Sequence, residues 1–105
     1  MSEPLYLAVW EFQVKPESLA TFELSYGPNG QWSKLFRHNS AYRGTELLRD
    51  ASRSGRYLTI DRWTSREALL QFKQQYAAEY AALDETFEEL TESEVFIGDF
   101  ETGAS

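Results

Sequence analysis

The sequence predicts an α+β domain of ferredoxin-like type, with the element order β-α-β-β-α-β. Three observations predict it. Residues 5–14 form an apolar run of strand character. Residues 42–63 read as a hairpin around turn chemistry at 51–55. Residues 65–90 carry one long amphipathic helical stripe.

Each element follows from a local pattern. Leu5 to Val14 is apolar on both parities, as in a strand covered on both sides. Pro16 suits the first turn of a helix, and Leu19, Phe22 and Tyr26 continue it at helical spacing. Gly27-Pro28-Asn29-Gly30 stops that helix. Gln31 to His38 reads as a second short helix with Trp32, Leu35 and Phe36 on one side. Tyr42 to Asp50 and Arg56 to Trp63 are the paired strands. Thr64 and Glu67 have capping-box spacing. The helix they open presents Leu69, Phe72, Tyr76, Tyr80, Leu83, Phe87 and Leu90. Glu94 to Phe100 is the last strand, and Thr102 to Ser105 is expected to fray.

At an offset of 50, Glu17, Leu19, Phe22 and Tyr26 match Glu67, Leu69, Phe72 and Tyr76. Duplication, or two helices burying similar stripes, would explain the echo. Either way both helices lie on one face of the sheet. The parity reading groups Leu7, Val9, Tyr57 and Trp63 against Ala8, Trp10, Leu58 and Ile60. Both faces are then too apolar for a monomer. A homodimer of twofold symmetry is the expected remedy.

Composition sets the outer limits. With 105 residues, 42% hydrophobic and 15% aromatic, a single domain spanning 1–105, with its core at about 5–100, can bury a real core. The chain has no cysteine, hence no disulfide framework and no thiolate zinc site. Met1-Ser2-Glu3-Pro4 has no signal-peptide character, and no run reaches the ~18 apolar residues of a membrane span. A cytoplasmic location and no membrane partner are expected. The net charge is −7, and nine of the ten bases fall between Lys34 and Lys73. From Gln74 onward there are nine acids and no base. General nucleic-acid binding is disfavoured by that balance.

Val14-Lys15-Pro16-Glu17 at the first strand–helix junction and Asp61-Arg62-Trp63-Thr64-Ser65-Arg66-Glu67-Ala68-Leu69 at the second carry a family resemblance. Across residues 5–100 the chain resembles the antibiotic biosynthesis monooxygenase family. The resemblance implies a dimeric α/β barrel with a ligand cavity between sheet and helices in each subunit. It also implies cofactor-independent oxygenation of phenols or quinols, or haem degradation. The haem-degrading relatives use a histidine on the second long helix, and residues 65–90 contain none.

Each candidate site residue has two readings. His38, the single histidine, serves as a general base or as a helix-end residue favoured by the dipole. Asn39 holds a substrate oxygen or caps the same helix end. Arg37 is an alternative oxyanion partner. Trp32 and Phe36 form a pocket wall or pack the short helix down. For Trp63 the resemblance implies a place at the cavity, and the alternative is a core or interface tryptophan. Asp61 and Glu11 share the offset of 50 and are expected side by side on central strands. They would act as an acid–base pair, or each would pair with an arginine such as Arg43 or Arg62. The acidic run Glu85, Glu88, Glu89, Glu92 and Glu94 reads as the solvated side of a helix end, with no metal spacing.

The expected activity is oxygenation of a small aromatic phenol or quinol without metal or organic cofactor. In that reading His38, Asn39 and Asp61 are catalytic, and Trp32, Phe36, Arg37 and Trp63 bind substrate. The alternatives are a non-catalytic ligand-binding homodimer, or an isomerase or lyase using a carboxylate.

Overall fold

The computed structural model describes residues 4–103; Met1 to Glu3, part of the segment read as lacking a signal peptide, and Ala104 to Ser105 lie outside the described residues. Four antiparallel strands form one sheet: β1 (Tyr6–Val14), β2 (Tyr42–Arg49), β3 (Arg56–Trp63) and β4 (Thr91–Glu101). Their spatial order is β2-β3-β1-β4. The helices are α1 (Leu19–Tyr26), α2 (Gln31–Phe36), α3 (Arg66–Gln75) and α4 (Ala77–Phe87), with short 3₁₀ turns at Pro16–Ser18 and Glu88–Leu90. This is the ferredoxin-like α+β architecture.

The register divides the sheet into two faces. Tyr6, Ala8, Trp10 and Phe12 stand opposite Trp63, Asp61, Thr59 and Tyr57. These residues face the helices. Leu7 and Val9 stand opposite Arg62 and Ile60 on the other face. The expected parity is corrected accordingly: Tyr57 and Trp63 go with Ala8 and Trp10, while Leu58 and Ile60 go with Leu7 and Val9. Alternation within one strand fixes its two sides, but only pairing fixes which side matches the neighbour's.

The core is an aromatic seam between that inner face and the helices. Phe22 stacks on Tyr26 at 4.2 Å and meets Phe12 at 5.2 Å. At the other end Phe72 meets Trp63 at 5.3 Å and Phe36 at 5.4 Å. Gly30 lets α1 and α2 meet closely, because a Cβ there would collide with the carbonyl oxygens of Leu24 and Ser25.

Four boundary expectations are corrected. The helix expected at 65–90 breaks at Tyr76, whose φ −111° and ψ 32° leave the helical region. Tyr76 there stacks on Phe72 at 4.9 Å, while Tyr80 beyond the bend packs on Trp32 at 4.9 Å. Tertiary packing bends the helix where its sequence has neither proline nor glycine. The capping hydroxyl is Ser65, which accepts from the Ala68 N–H at 3.1 Å, one residue after the expected Thr64. The second short helix ends at Phe36, before His38. Thr102, expected to fray, is fixed: its N–H donates to the Leu5 carbonyl at 2.9 Å and its hydroxyl accepts from the Leu5 N–H at 2.7 Å.

Candidate functional site

A cavity of about 40 Å³ lies between the inner sheet face and the helices. Its aromatic walls are Trp10, Phe12, Tyr26, Trp32, Phe36 and Tyr80. Its polar lining is Thr45, Thr59, Asp61, Asp84 and Glu94. An adjoining space of about 190 Å³ shares Trp10, Phe36, Asp61 and Tyr80 with it and adds Arg66 and Lys73. Asp61 therefore stands where the two spaces meet.

The Asp61 carboxyl is pushed up to about 6 by burial, against the smaller opposing effects of its hydrogen bond from Thr45 and the charge of Lys73. Thr45 donates to Asp61 Oδ1 at 2.6 Å. Among the described residues, no protein donor reaches Oδ2. A partly buried carboxylate with its pKa raised and one oxygen without a protein donor accepts a proton near neutral pH better than an ordinary aspartate does. The phenols nearby do not compete as bases. Burial pushes the Tyr26 hydroxyl up to about 12 and raises that of Tyr80 as well. Burial, and then the charge of Asp84, raises Glu94.

A bulge in β2 brings the partners of Asp61 together. Tyr42 pairs with Trp63, Gly44 with Arg62 and Thr45 with Asp61. Regular alternation would send Tyr42 and Thr45 to opposite faces. The extra residue at Arg43 turns both inward, and Gly44 takes the φ of +108° that this needs.

The structure brings Asp61, Trp32 and Phe36 to one cavity and leaves the other expected site residues outside its lining. His38 is exposed, and its ring stacks on Tyr76 at 5.6 Å. The end of α2 at Phe36 carries it past the cavity. Arg37 is also exposed and donates to the Pro28 carbonyl at 2.6 Å. Asn39 Oδ1 accepts from the Ala41 N–H at 2.8 Å, closing a turn rather than reaching the cavity. Trp63 is fully buried behind Phe36, at 5.5 Å from its ring.

The expected pairing of Glu11 with Asp61 is corrected as well. Glu11 stands opposite Leu58 on the outer face, whereas Asp61 stands opposite Ala8 on the inner one. Glu11 instead accepts from Arg56 Nε at 2.6 Å. The strands run antiparallel, so an equal offset in sequence does not become an equal height across the ladder.

Several lining residues were unmarked as site residues in the sequence. Trp10 and Phe12 appear only as strand residues, and Tyr26 and Tyr80 only as helix stripes. Thr45 gave no signal at all. Among the described residues, no group of three or more histidine, aspartate or glutamate side chains is placed to hold a metal ion. Among the described residues, no helix is long and apolar enough to cross a membrane.

The architecture has many solved counterparts. A protein from Bordetella bronchiseptica assigned as an antibiotic biosynthesis monooxygenase is 17% identical, with TM-score 0.74 over 98% of this chain and 99% of its own. One of the same assignment from Nitrosomonas europaea is 14% identical, with TM-score 0.66 over 99% and 93% of the two chains. SnoaB from Streptomyces nogalater, a cofactor-independent oxygenase, is 17% identical in a variant structure, with TM-score 0.62 over 98% and 94%. At these identities the likeness is one of fold. No curated protein matches the chain. The family model for antibiotic biosynthesis monooxygenase, however, matches residues 5–83, most of the sequence, and the chain belongs to that family.

Proposed function

We propose that the protein is a cofactor-independent monooxygenase that uses Asp61 to deprotonate a small aromatic phenol or quinol. The observation that carries this reading is the partly buried Asp61 carboxylate lining the aromatic cavity, with Oδ1 held by Thr45 and no protein donor on Oδ2 among the described residues. The substrate hydroxyl gives its proton to Oδ2. The ring anion then reduces dioxygen and forms a C–O bond at a ring carbon. Loss of the proton from that carbon and cleavage of the O–O bond leave a quinone and one water. One oxygen atom ends on the ring and the other in the water, so the phenol supplies all the electrons. Trp32, Phe36 and Tyr80 orient the ring, and their bulk keeps water from the anion.

The test is oxygen uptake with an electron-rich quinol or anthrone. Uptake that saturates, survives His38→Ala and disappears in Asp61→Asn is the expected result. Uptake lost in His38→Ala but retained in Asp61→Asn overturns the assignment of the base. Ligand binding without uptake replaces the reading with a binding protein. Turnover without dioxygen replaces it with an isomerase or lyase.

The functional unit proposed is a homodimer closed over the outer sheet face. That face carries Leu7, Val9, Leu58 and Ile60 at its centre. Val95 and Phe100 extend it across β4 at 48% and 52% exposure. A second copy removes this apolar surface from water, and each such side chain contributes about 1.5–3 kcal/mol when fully buried. Ile60→Glu places a charge at the centre of that face and is expected to give a folded monomer. Sedimentation at micromolar concentration checks it; a wild-type monomer there, or a variant that stays dimeric, rejects this interface.

A further inference from the structure

We propose that Thr45, Tyr42 and Ser33 form a closed hydroxyl chain that holds Asp61 ready to accept a proton and reverses direction when it does. The proposal rests on the reading of Asp61 as the base and adds how that base keeps its proton. The chain is continuous in the structure. Thr45 contacts Asp61 Oδ1 at 2.6 Å, and the Tyr42 hydroxyl contacts Thr45 at short range. Tyr42 reaches Ser33 Oγ at 3.2 Å, and Ser33 reaches the Gly27 carbonyl at 3.0 Å.

A proton count gives the chain its two states. Each hydroxyl has one proton to donate. An ionised Asp61 only accepts, so Thr45 must donate to it. Tyr42 then donates to Thr45, and Ser33 donates to Tyr42. The Gly27 carbonyl keeps the Gly30 N–H at 3.0 Å and is left satisfied. Once protonated on Oδ2, the Asp61 carboxyl turns about Cβ–Cγ so that the protonated oxygen meets Thr45 and donates to it. Thr45 turns to Tyr42, Tyr42 to Ser33, and Ser33 to the Gly27 carbonyl. Four contacts share three protons when Asp61 is ionised, which leaves the Ser33–Gly27 contact without one, and four when it is protonated; each oxygen in the row still has a hydrogen-bond partner in both states.

The chain ends on a carbonyl that cannot take up a proton. It is therefore a holder rather than a conduit. A proton taken from the substrate stays on Asp61 and can leave only into the cavity, onto the reduced oxygen of the intermediate. The site thereby keeps one proton for both halves of the reaction.

Other charges also face Asp61. The charge of Lys73 of α3 favours its ionised form, and Arg66 of α3 lines the same space. Asp84 of α4 and Glu94 and Asp99 of β4 are the other acids that line the two spaces. Tyr6, Tyr26 and Tyr80 present neutral phenols from β1, α1 and α4. These groups are unchanged in the variants that test the chain.

Carboxyl ¹³C titration of the full-length protein labelled at its four aspartates reads the chain directly, with Asp61→Asn assigning the signal. In Thr45→Val the Asp61 midpoint is expected to rise by about one to two pH units, the effect of losing a hydrogen bond to a charged group. Thr45→Ser restores the wild-type midpoint. Tyr42→Phe keeps the buried ring and raises the midpoint by less. In the wild type the Tyr42 Cζ resonance titrates with Asp61, and it ceases to do so in Thr45→Val.

A wild-type midpoint in Tyr42→Phe, or a Tyr42 resonance that ignores Asp61, overturns the chain, even if Thr45→Val does not fold. The titration needs no substrate. Shifts as expected with no oxygen uptake reject the proposed reaction and keep the chain. Uptake without the shifts does the reverse.

Discussion

Replacing Asp61 by asparagine is expected to abolish oxygen uptake and, at neutral pH, to make the protein more stable. The loss of activity follows from removing the base: kcat/KM should fall by about 10²–10⁴-fold. The gain in stability follows from the cause of the raised pKa. Asp61 releases its proton near pH 6 in the folded protein because burial penalises the charge. In the unfolded chain it does so near ~3.9. Between those values the folded state binds more protons than the unfolded state. Stability therefore falls as pH rises through that window, by about 3 kcal/mol once it is crossed.

Asparagine has the same shape and carries no charge to bury. Its amide can still bond to Thr45. The variant should thus lack the decline between about pH 4 and 6 and should exceed the wild type by about 1–3 kcal/mol above it. Urea denaturation of both proteins from pH 4 to 8 checks this. A difference independent of pH would show that the Asp61 carboxyl is not raised in the folded protein. A site that sacrifices stability for function gives the opposite signs predicted here for activity and stability.

The sheet and its hairpin were legible because their signals are local. Periodicity located β1 and α1, and turn chemistry at 51–55 located the hairpin. The strand Arg56–Trp63 was delimited from the sequence with both ends correct. The site was less legible because its geometry depends on irregularities. Tyr42 and Thr45 are three residues apart, an odd spacing that alternation assigns to opposite faces. Only the bulge at Arg43 reconciles them. The bend at Tyr76 directs Tyr80 toward Trp32, and nothing in Gln74-Gln75-Tyr76-Ala77 announces it. His38 stands out by residue type, and its exposed place against Tyr76, outside the cavity lining, depends on where α2 ends. Asp61 echoes Glu11 at an offset of 50 in the sequence, and the register places the two on opposite faces of the sheet.

Trp63→Ala is expected to be the most damaging single substitution to stability. Trp63 is 0% exposed and joins three rings: Tyr42 at 5.3 Å, Phe36 at 5.5 Å and Phe72 at 5.3 Å. Truncation leaves a cavity among side chains that β3, α2 and α3 hold in place. Such a change costs about 3–5 kcal/mol, against a total of about 5–15 kcal/mol for a domain of this kind. Its indole Nε1, however, is buried without a hydrogen-bond partner among the described residues. That group detracts from stability by about 1–3 kcal/mol. Trp63→Phe removes it while keeping most of the packing, so the two effects oppose each other. Its net cost should stay under about 2 kcal/mol. Urea midpoints of the two variants measure these effects, and ligand affinity separates packing from contact. Phe36 stands between Trp63 and the cavity, so Trp63→Phe should bind an aromatic ligand as the wild type does. Loss of binding with stability retained would instead put the Trp63 ring against the ligand.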